Sequence, residues 1–292
     1  MLELTVSPRG PYSLRLSAGR AGDATRRCAG DRAVGLFHVD GGLEWAGARQ
    51  CADGRVVLEA MSEAGLERVR FVLGLDDDHT PFLERFANDP FLGRPIRFLR
   101  GLRPPRVGTV THALLRAVCG QLITAREARV IERRIVRAIC EEAWGLHAPP
   151  TPRAVGRLAP AELRRLGLSA RKAATLVRLC RTVDLERLTG VETAAVATRL
   201  ERERGLGPWS VGVVCLEGLG RYERGLVGDL GLIKLCSALH GRWADAADTE
   251  DLLAPYAEWG GLASVYLLAG FARGLLPLPA GGRRRARTRV PA

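Results

Sequence analysis

The chain has 292 residues, enough for one large domain or two ordinary ones with a sizeable buried core. Its formal net charge is +12, from 44 Lys and Arg against 32 Asp and Glu, which favours a polyanionic partner. Hydrophobic residues make up 47% of the chain, but no apolar run approaches the roughly 18 residues that span a bilayer, so no membrane association is expected. The start, MLELTVSPRG, has no basic stretch followed by an apolar run, which points to a cytoplasmic protein rather than a secreted one. The seven cysteines are widely spaced and include no CxxC pair, so they read as small core fillers in a reducing compartment and not as metal or disulfide sites.

Residues 1 to about 95 are expected to be strand-rich. LTVSPRGPYSLRLS gives two short runs around a Pro-Arg-Gly-Pro turn, and AVGLFHVDGGLEWAGARQ alternates around Asp40-Gly41-Gly42 as a hairpin does. GRVVLEAMS and LERVRFVLGL continue that pattern. DDDHTPFLERFANDPFLG reads as a loop with a short helix, and its Asp76-Asp77-Asp78-His79 run reads as solvated, with an Asp capping the next helix, rather than as a metal site. PFLGRPIRFLRGLRPPRVG lacks periodicity and looks like a connection into a second domain.

From His112 onward the pattern is helical. HALLRAVCGQLITAREARVIERRIVRAICEEAWG gives two helices, the second with Val130, Ile131, Ile135, Val136 and Ile139 on one stripe and with a capping box formed by Thr124 and Glu127. Pro149-Pro150-Thr151-Pro152 breaks the chain. Helices are then expected at about 153–158, 160–166, 169–183, 192–203, 208–219, 229–240, 248–256 and 261–273. The tail GGRRRARTRVPA, with five arginines, is expected to be disordered and to add phosphate attraction.

Two features between Arg204 and Lys234 carry chemistry. Gly205-Leu206-Gly207 joins two helical patterns, and Pro208 opens the second of them. Free N–H groups at such a helix start suit a phosphate oxygen, and outward carbonyls at 203–208 suit a monovalent cation that bridges to the phosphate. A plain helix–helix corner with a glycine cap is the alternative. Asp229 follows Gly228 and opens a helix, either as a cap alone or as a reactive carboxylate as well.

Together these segments resemble the helix-hairpin-helix DNA glycosylase superfamily, and within it the bacterial 3-methyladenine DNA glycosylase II family. RGLGPWSVGVV is similar to that family's GIGRWTA pattern, and VGDLGLIK to its Asp-containing segment. LLRAVCGQLITAREA, LSARKAATLVRLCRTV and FLGRPIRFLRGLRPPRVG resemble further family segments, so the likeness spans most of the chain. It implies an α+β protein with a mixed N-terminal domain at 1–105, an all-helical helix-hairpin-helix glycosylase domain at 106–280 and the basic tail at 281–292.

The implied reaction is hydrolysis of the N-glycosidic bond of an alkylated, cationic purine flipped out of double-stranded DNA. The enzyme would act as a cytoplasmic, nucleoid-associated monomer without an organic cofactor or metal. Asp229 would stabilise the cationic sugar and position water. In bifunctional members a Lys stands two residues after the hairpin's second glycine. Here that residue is Trp209, so lyase activity is not expected. Trp209 would instead stack on the extruded base, with Tyr222, Trp259, Leu262 and Tyr266 as further pocket candidates. The family places an aromatic near Leu262, where this chain has Gly260-Gly261-Leu262, which leaves the substrate range open. Leu122 would wedge into the vacated stack, with Gln121 contacting the opposite strand or supporting the loop. Gly205, Gly207, Pro208 and Ser210 would grip the backbone. The rival readings are a glycosylase for oxidised or deaminated bases and a non-catalytic DNA-binding module.

Overall fold

A computed structural model describes residues 1–18 and 21–279. The basic tail at 281–292 lies outside the described residues. In chain order the elements are β1 (Leu2–Val6), α1 (Leu14–Ala18), β2 (Arg26–Ala29), β3 (Arg32–Val39), β4 (Gly42–Gln50), β5 (Val56–Ala60), α2 (Glu63–Val72), α3 (Thr80–Arg85), α4 (Gly93–Phe98), α5 (Val110–Gly120) and α6 (Ala125–Ile139). There follow β6 (Glu142–Ala143), β7 (Leu146–His147), α7 (Pro152–Gly156), α8 (Pro160–Arg165), α9 (Ala170–Thr182), α10 (Thr193–Glu201), α11 (Pro208–Val213), α12 (Leu230–His240), α13 (Ala246–Leu253) and α14 (Gly260–Arg273). The class is α+β. Among the described residues no helix is long and apolar enough to cross a membrane.

The chain divides into two compact units, Met1–His79 with Gly101–Arg221, and Thr80–Arg100 with Tyr222–Ala292. In the first unit an antiparallel sheet runs in the order β1-β5-β4-β3-β2. The expected hairpin turns at Asp40 and Gly41, with φ of 47° and 83°, the pair of positive values that matches strand twist in a two-residue turn. Leu66, Val69, Val72 and Leu73 of the α2 segment pack on Ala46, Ala48, Val56 and Leu58 of the sheet.

Several local expectations are corrected. LERVRFVL is helix α2, not a strand. Ser62 caps it by accepting from Gly65 N, and its buried Leu66, Val69 and Val72 recur at helical spacing. The second run after Pro-Arg-Gly-Pro is helix α1. The Asp76–His79 run is a loop that is only partly solvated: Asp76 and Asp78 are exposed, but Asp77 pairs with the buried Arg106, and His79 is 1% exposed. The Arg-rich connection is likewise anchored. Arg103 is fully buried and donates to the carbonyls of Gly74, Arg9 and Pro11. EEAWG is not helical but turns through the short β6–β7 hairpin, with Trp144 at φ 51°. The helix beginning at Pro208 widens into a π-turn at Val214–Leu219.

The capping box of α6 forms as expected, with Thr124 and Glu127 bonded reciprocally. The buried stripe of α6 is shifted, however. Val130 is 42% exposed, and Glu132 joins Ala128, Ile135, Val136 and Ile139 inside. The seven cysteines are all free.

Candidate functional site

The glycine turn has the shape its sequence predicts, but the two glycines do different work. Gly205 has φ 98°, and a Cβ there would lie 2.6 Å from Thr175 Oγ1, so both the conformation and the close approach of α9 require glycine. Gly207 is extended at φ −119° and ψ 177° as the residue before α11, and a Cβ there would meet nothing within 4 Å. Its open face leaves room for an external backbone. Pro208 occupies the first helical turn, where its missing N–H costs nothing.

Around this turn the carbonyls are engaged from two sides. Arg178 donates from Nη2 to Arg204 O at 2.8 Å and pairs with Glu203 at 2.6 Å. The Gln121 amide nitrogen donates to Gly205 O at 2.9 Å and to Ser210 Oγ at 3.0 Å. The Gln121 amide nitrogen is thereby engaged with the hairpin. Ser210 is buried behind the turn. Trp209 is half-buried, and its ring packs on Gly120, where a Cβ would lie 2.6 Å from Cη2.

Leu122 follows Gln121 at the end of α5. It is 101% exposed and has φ 59°, a left-handed conformation that a branched side chain disfavours. An apolar side chain with no contact to bury it, on a strained turn, is well suited to enter another molecule. The turn is secured by a residue to which the sequence assigns no role. Lys172 of α9 donates from Nζ to Gln121 O at 2.6 Å and to Cys119 O at 3.3 Å. Partial burial pulls the Lys172 pKa below its ordinary value. The signal was present in composition: Lys172 and Lys234 are the only lysines in an Arg-rich chain.

A buried ionic cluster supports α5 from behind. Arg116 bonds Glu132 at 2.7 Å, Asp23 at 2.7 Å and Glu217 of the π-turn at 2.6 Å, while His112 Nε2 lies 2.8 Å from Glu132. Burial opposes ionisation of Glu132, but Arg116 and the His112 hydrogen bond outweigh it and hold the carboxyl well below the usual range. Asp23 shows the same balance, with Arg26 and Arg116 overcoming burial. Potential ligand atoms of Asp23, His112 and Glu132 lie within 4.8 Å of one another. The Arg116 guanidinium already bonds both carboxylates, and the cluster reads as an ion-pair network.

In the second unit Asp229 precedes α12, after Gly228 at φ 82°. Its Oδ1 accepts from Gly231 N at 2.7 Å and Leu232 N at 3.3 Å, and Gly228 N is tied to Thr249 Oγ1 at 2.8 Å. A half-buried carboxylate is thereby fixed at a positive helix end. The same unit holds an aromatic group. Tyr222 and Trp259 stack with centroids 6.4 Å apart, and Phe82 bridges Trp259 and Tyr266 at 5.9 and 5.4 Å. Tyr222 and Trp259 are half-buried. Tyr266 and Leu262 are 0% exposed, and the Tyr266 hydroxyl donates to Leu99 O. These last two lie in the core and do not themselves face an opening.

Comparison with known proteins agrees with this architecture. No family model matches the chain. A DNA-3-methyladenine glycosylase of Bacillus subtilis is 26% identical over 227 residues, covering 74% of this chain and 75% of that protein. The structure of a 3-methyladenine DNA-glycosylase from Archaeoglobus fulgidus superposes with a TM-score of 0.80 at 19% identity, covering 92% of this chain and 98% of that one. A Clostridium acetobutylicum 8-oxoguanine glycosylase/lyase in complex with double-stranded DNA gives 0.74 at 15% identity, covering 93% and 98%. With the glycine hairpin, the exposed leucine turn and the aspartate at a helix start all present, the chain shares the fold of these DNA glycosylases and is similar to them in sequence.

Proposed function

We propose that this protein is a single-function DNA glycosylase of the 3-methyladenine II type, hydrolysing the N-glycosidic bond of alkylated, cationic purines in double-stranded DNA. The carrying observation is the pairing of the hairpin with Asp229 in a chain whose residue two beyond Gly207 is Trp209. Breaking the bond builds positive charge on the sugar, and a fixed carboxylate at Asp229 stabilises that charge and orients water. A cationic base needs little acid assistance as it leaves, so one carboxylate suffices. A lyase step would need an amine where the indole stands. Lys172, one of the two lysines, is bonded to the wedge-turn carbonyls.

In this reading the open face of Gly207, with Gly205, Pro208 and Ser210 forming its turn, meets the phosphate backbone. A monovalent cation at 203–208 adds to that grip, sharing the Arg204 and Gly205 carbonyls with Arg178 and Gln121. Leu122 fills the gap left by the flipped nucleotide, and Trp209 stacks on the base, with Tyr222 and Trp259 as further aromatic faces. No organic cofactor takes part, and the enzyme acts as a cytoplasmic monomer on the nucleoid. The name of the Bacillus subtilis relative supports the alkylated substrate. The second reading, an oxidised base as substrate, is favoured by the shared fold of the 8-oxoguanine glycosylase/lyase.

Incubation of the purified protein with methylated DNA, followed by mass analysis of released bases, tests the proposal. Release of 3-methyladenine or 7-methylguanine, lost in Asp229→Asn, is the expected result. Binding without base release removes the enzymatic reading. A covalent borohydride-trapped adduct removes the single-function one.

A further inference from the structure

One face of α9 touches both DNA-directed turns of the first unit. Lys172, in its first turn, donates to Cys119 O and Gln121 O at the end of α5. Thr175 packs against Gly205, where a Cβ would lie 2.6 Å from its hydroxyl. Arg178 bonds Arg204 O and Glu203. These positions, three residues apart, follow one stripe of the helix. The two turns are also joined directly, since the Gln121 amide nitrogen spans Gly205 O and Ser210 Oγ.

The wedge turn needs such support. Carbonyls at a helix C-terminus have no intrahelical partners, and a cation placed there satisfies them and opposes the negative helix end. Leu122 is wholly exposed, so no burial holds its left-handed backbone in place. Polar bonds to the turn are what keep it there.

We propose that Lys172 is a positioning residue for base extrusion: its ammonium locks the Gln121–Leu122 turn at a fixed offset from the hairpin, so that gripping a phosphate and inserting the leucine are a single rigid-body event. This rests on the wedge and hairpin roles given above. Without Lys172 the hairpin still binds backbone, but the leucine no longer arrives in register with it. The energy of phosphate contact is then no longer coupled to unstacking of the base.

The test compares wild type with Lys172→Met, which keeps the aliphatic stem, and Lys172→Arg, which keeps the charge. Wedge insertion is read from 2-aminopurine fluorescence beside a tetrahydrofuran abasic analogue in a duplex, a signal that needs no chemistry. Lys172→Met is expected to keep its melting temperature and its affinity for undamaged duplex within about twofold. It should lose most of the fluorescence change. Single-turnover excision from methylated duplex should fall at least about tenfold, and fall much less when the lesion lies opposite an abasic analogue, where it is already unpaired. Lys172→Arg should recover the fluorescence change. An unchanged signal in Lys172→Met overturns the proposal, as does an equal loss on every substrate together with lowered melting. If wild type releases no base, the glycosylase reading fails, and the fluorescence arm still decides the role of Lys172.

Discussion

Arg116 holds Glu132 through two bonds to a single oxygen, from Nε at 3.0 Å and from Nη2 at 2.7 Å, with the two side chains 7% and 1% exposed. The same guanidinium reaches Asp23 and Glu217, so one cation on α5 ties together the N-terminal segment, α6 and the π-turn. Arg116→Met would leave three carboxylates partly or wholly buried beside a lost partner. A loss of about 3–5 kcal/mol in urea unfolding is expected. Adding Glu132→Gln should cost less than the sum of the single changes, because the two side chains share one network. Full additivity would show that the cluster is not energetically coupled.

The network also sets the acid response. Glu132, Asp23 and Glu217 all have carboxyl pKa values below their ordinary ones, because Arg116 and its neighbours outweigh the burial that would raise them. A depressed folded-state pKa stabilises the fold above the unfolded value, about 4, and that stability is lost as pH falls through the folded values. The network's share of the melting temperature, read as the difference between wild type and Arg116→Met, should therefore be flat from pH 7 to about 5 and fall steeply below about 4, while the buried His79, with its pKa lowered to about 4, adds a separate loss below about pH 6.5 in both proteins. In Arg116→Met the acid-side fall should be shallower, since part of the stabilisation is already absent. An identical slope in the variant would refute the assignment.

Leu122 combines full exposure with a left-handed backbone, so its cost to stability and its proposed use should separate. Leu122→Gly is expected to leave stability unchanged or raise it by up to about 1 kcal/mol, by relieving the conformation. Excision from duplex DNA should drop. A variant as active as wild type would show that the side chain is no wedge.

Asp229 has two separable tasks. Asp229→Asn keeps an oxygen to accept from Gly231 N and Leu232 N and should melt like wild type, yet release no base. Asp229→Ala should also be inactive and lose about 1 kcal/mol of stability with the cap. Activity in the asparagine variant would reduce the residue to a cap.

The hairpin glycines should respond differently to one added methyl. Gly205→Ala forces φ 98° on a residue with a Cβ and collides with Thr175, so it should destabilise by about 1–3 kcal/mol. Gly207→Ala meets nothing within 4 Å and should leave stability within about 0.5 kcal/mol. Its affinity for DNA should nevertheless fall, because the methyl stands where an incoming backbone would approach. Unaltered binding would mean that the turn is only a helix corner.

Local codes in the sequence determined a good deal of this protein. The Asp40-Gly41 turn, the capping box at Thr124 and Glu127, the glycine hairpin before Pro208 and the cap at Asp229 each depend on a few neighbouring residues, and each is found as the sequence implies. The α2 segment departs from the expected strand: the alternation of apolar and charged residues from Val69 to Phe71 mimics one. Only the docking of its i, i+3 face on the sheet decides for helix. Glu132 sits at helical spacing on an apolar stripe, and nothing local reveals that Arg116, His112 and the distant Asp23 will meet it there. Likewise Lys172 lies far in sequence from Gln121, and the exposure of Leu122 appears only once α5 ends against α9. Caps, turns and periodicity are short-range and legible in one dimension. The pairing of buried charges, and which apolar side chain is left outside, follow from long-range packing, and only the tertiary structure decided them.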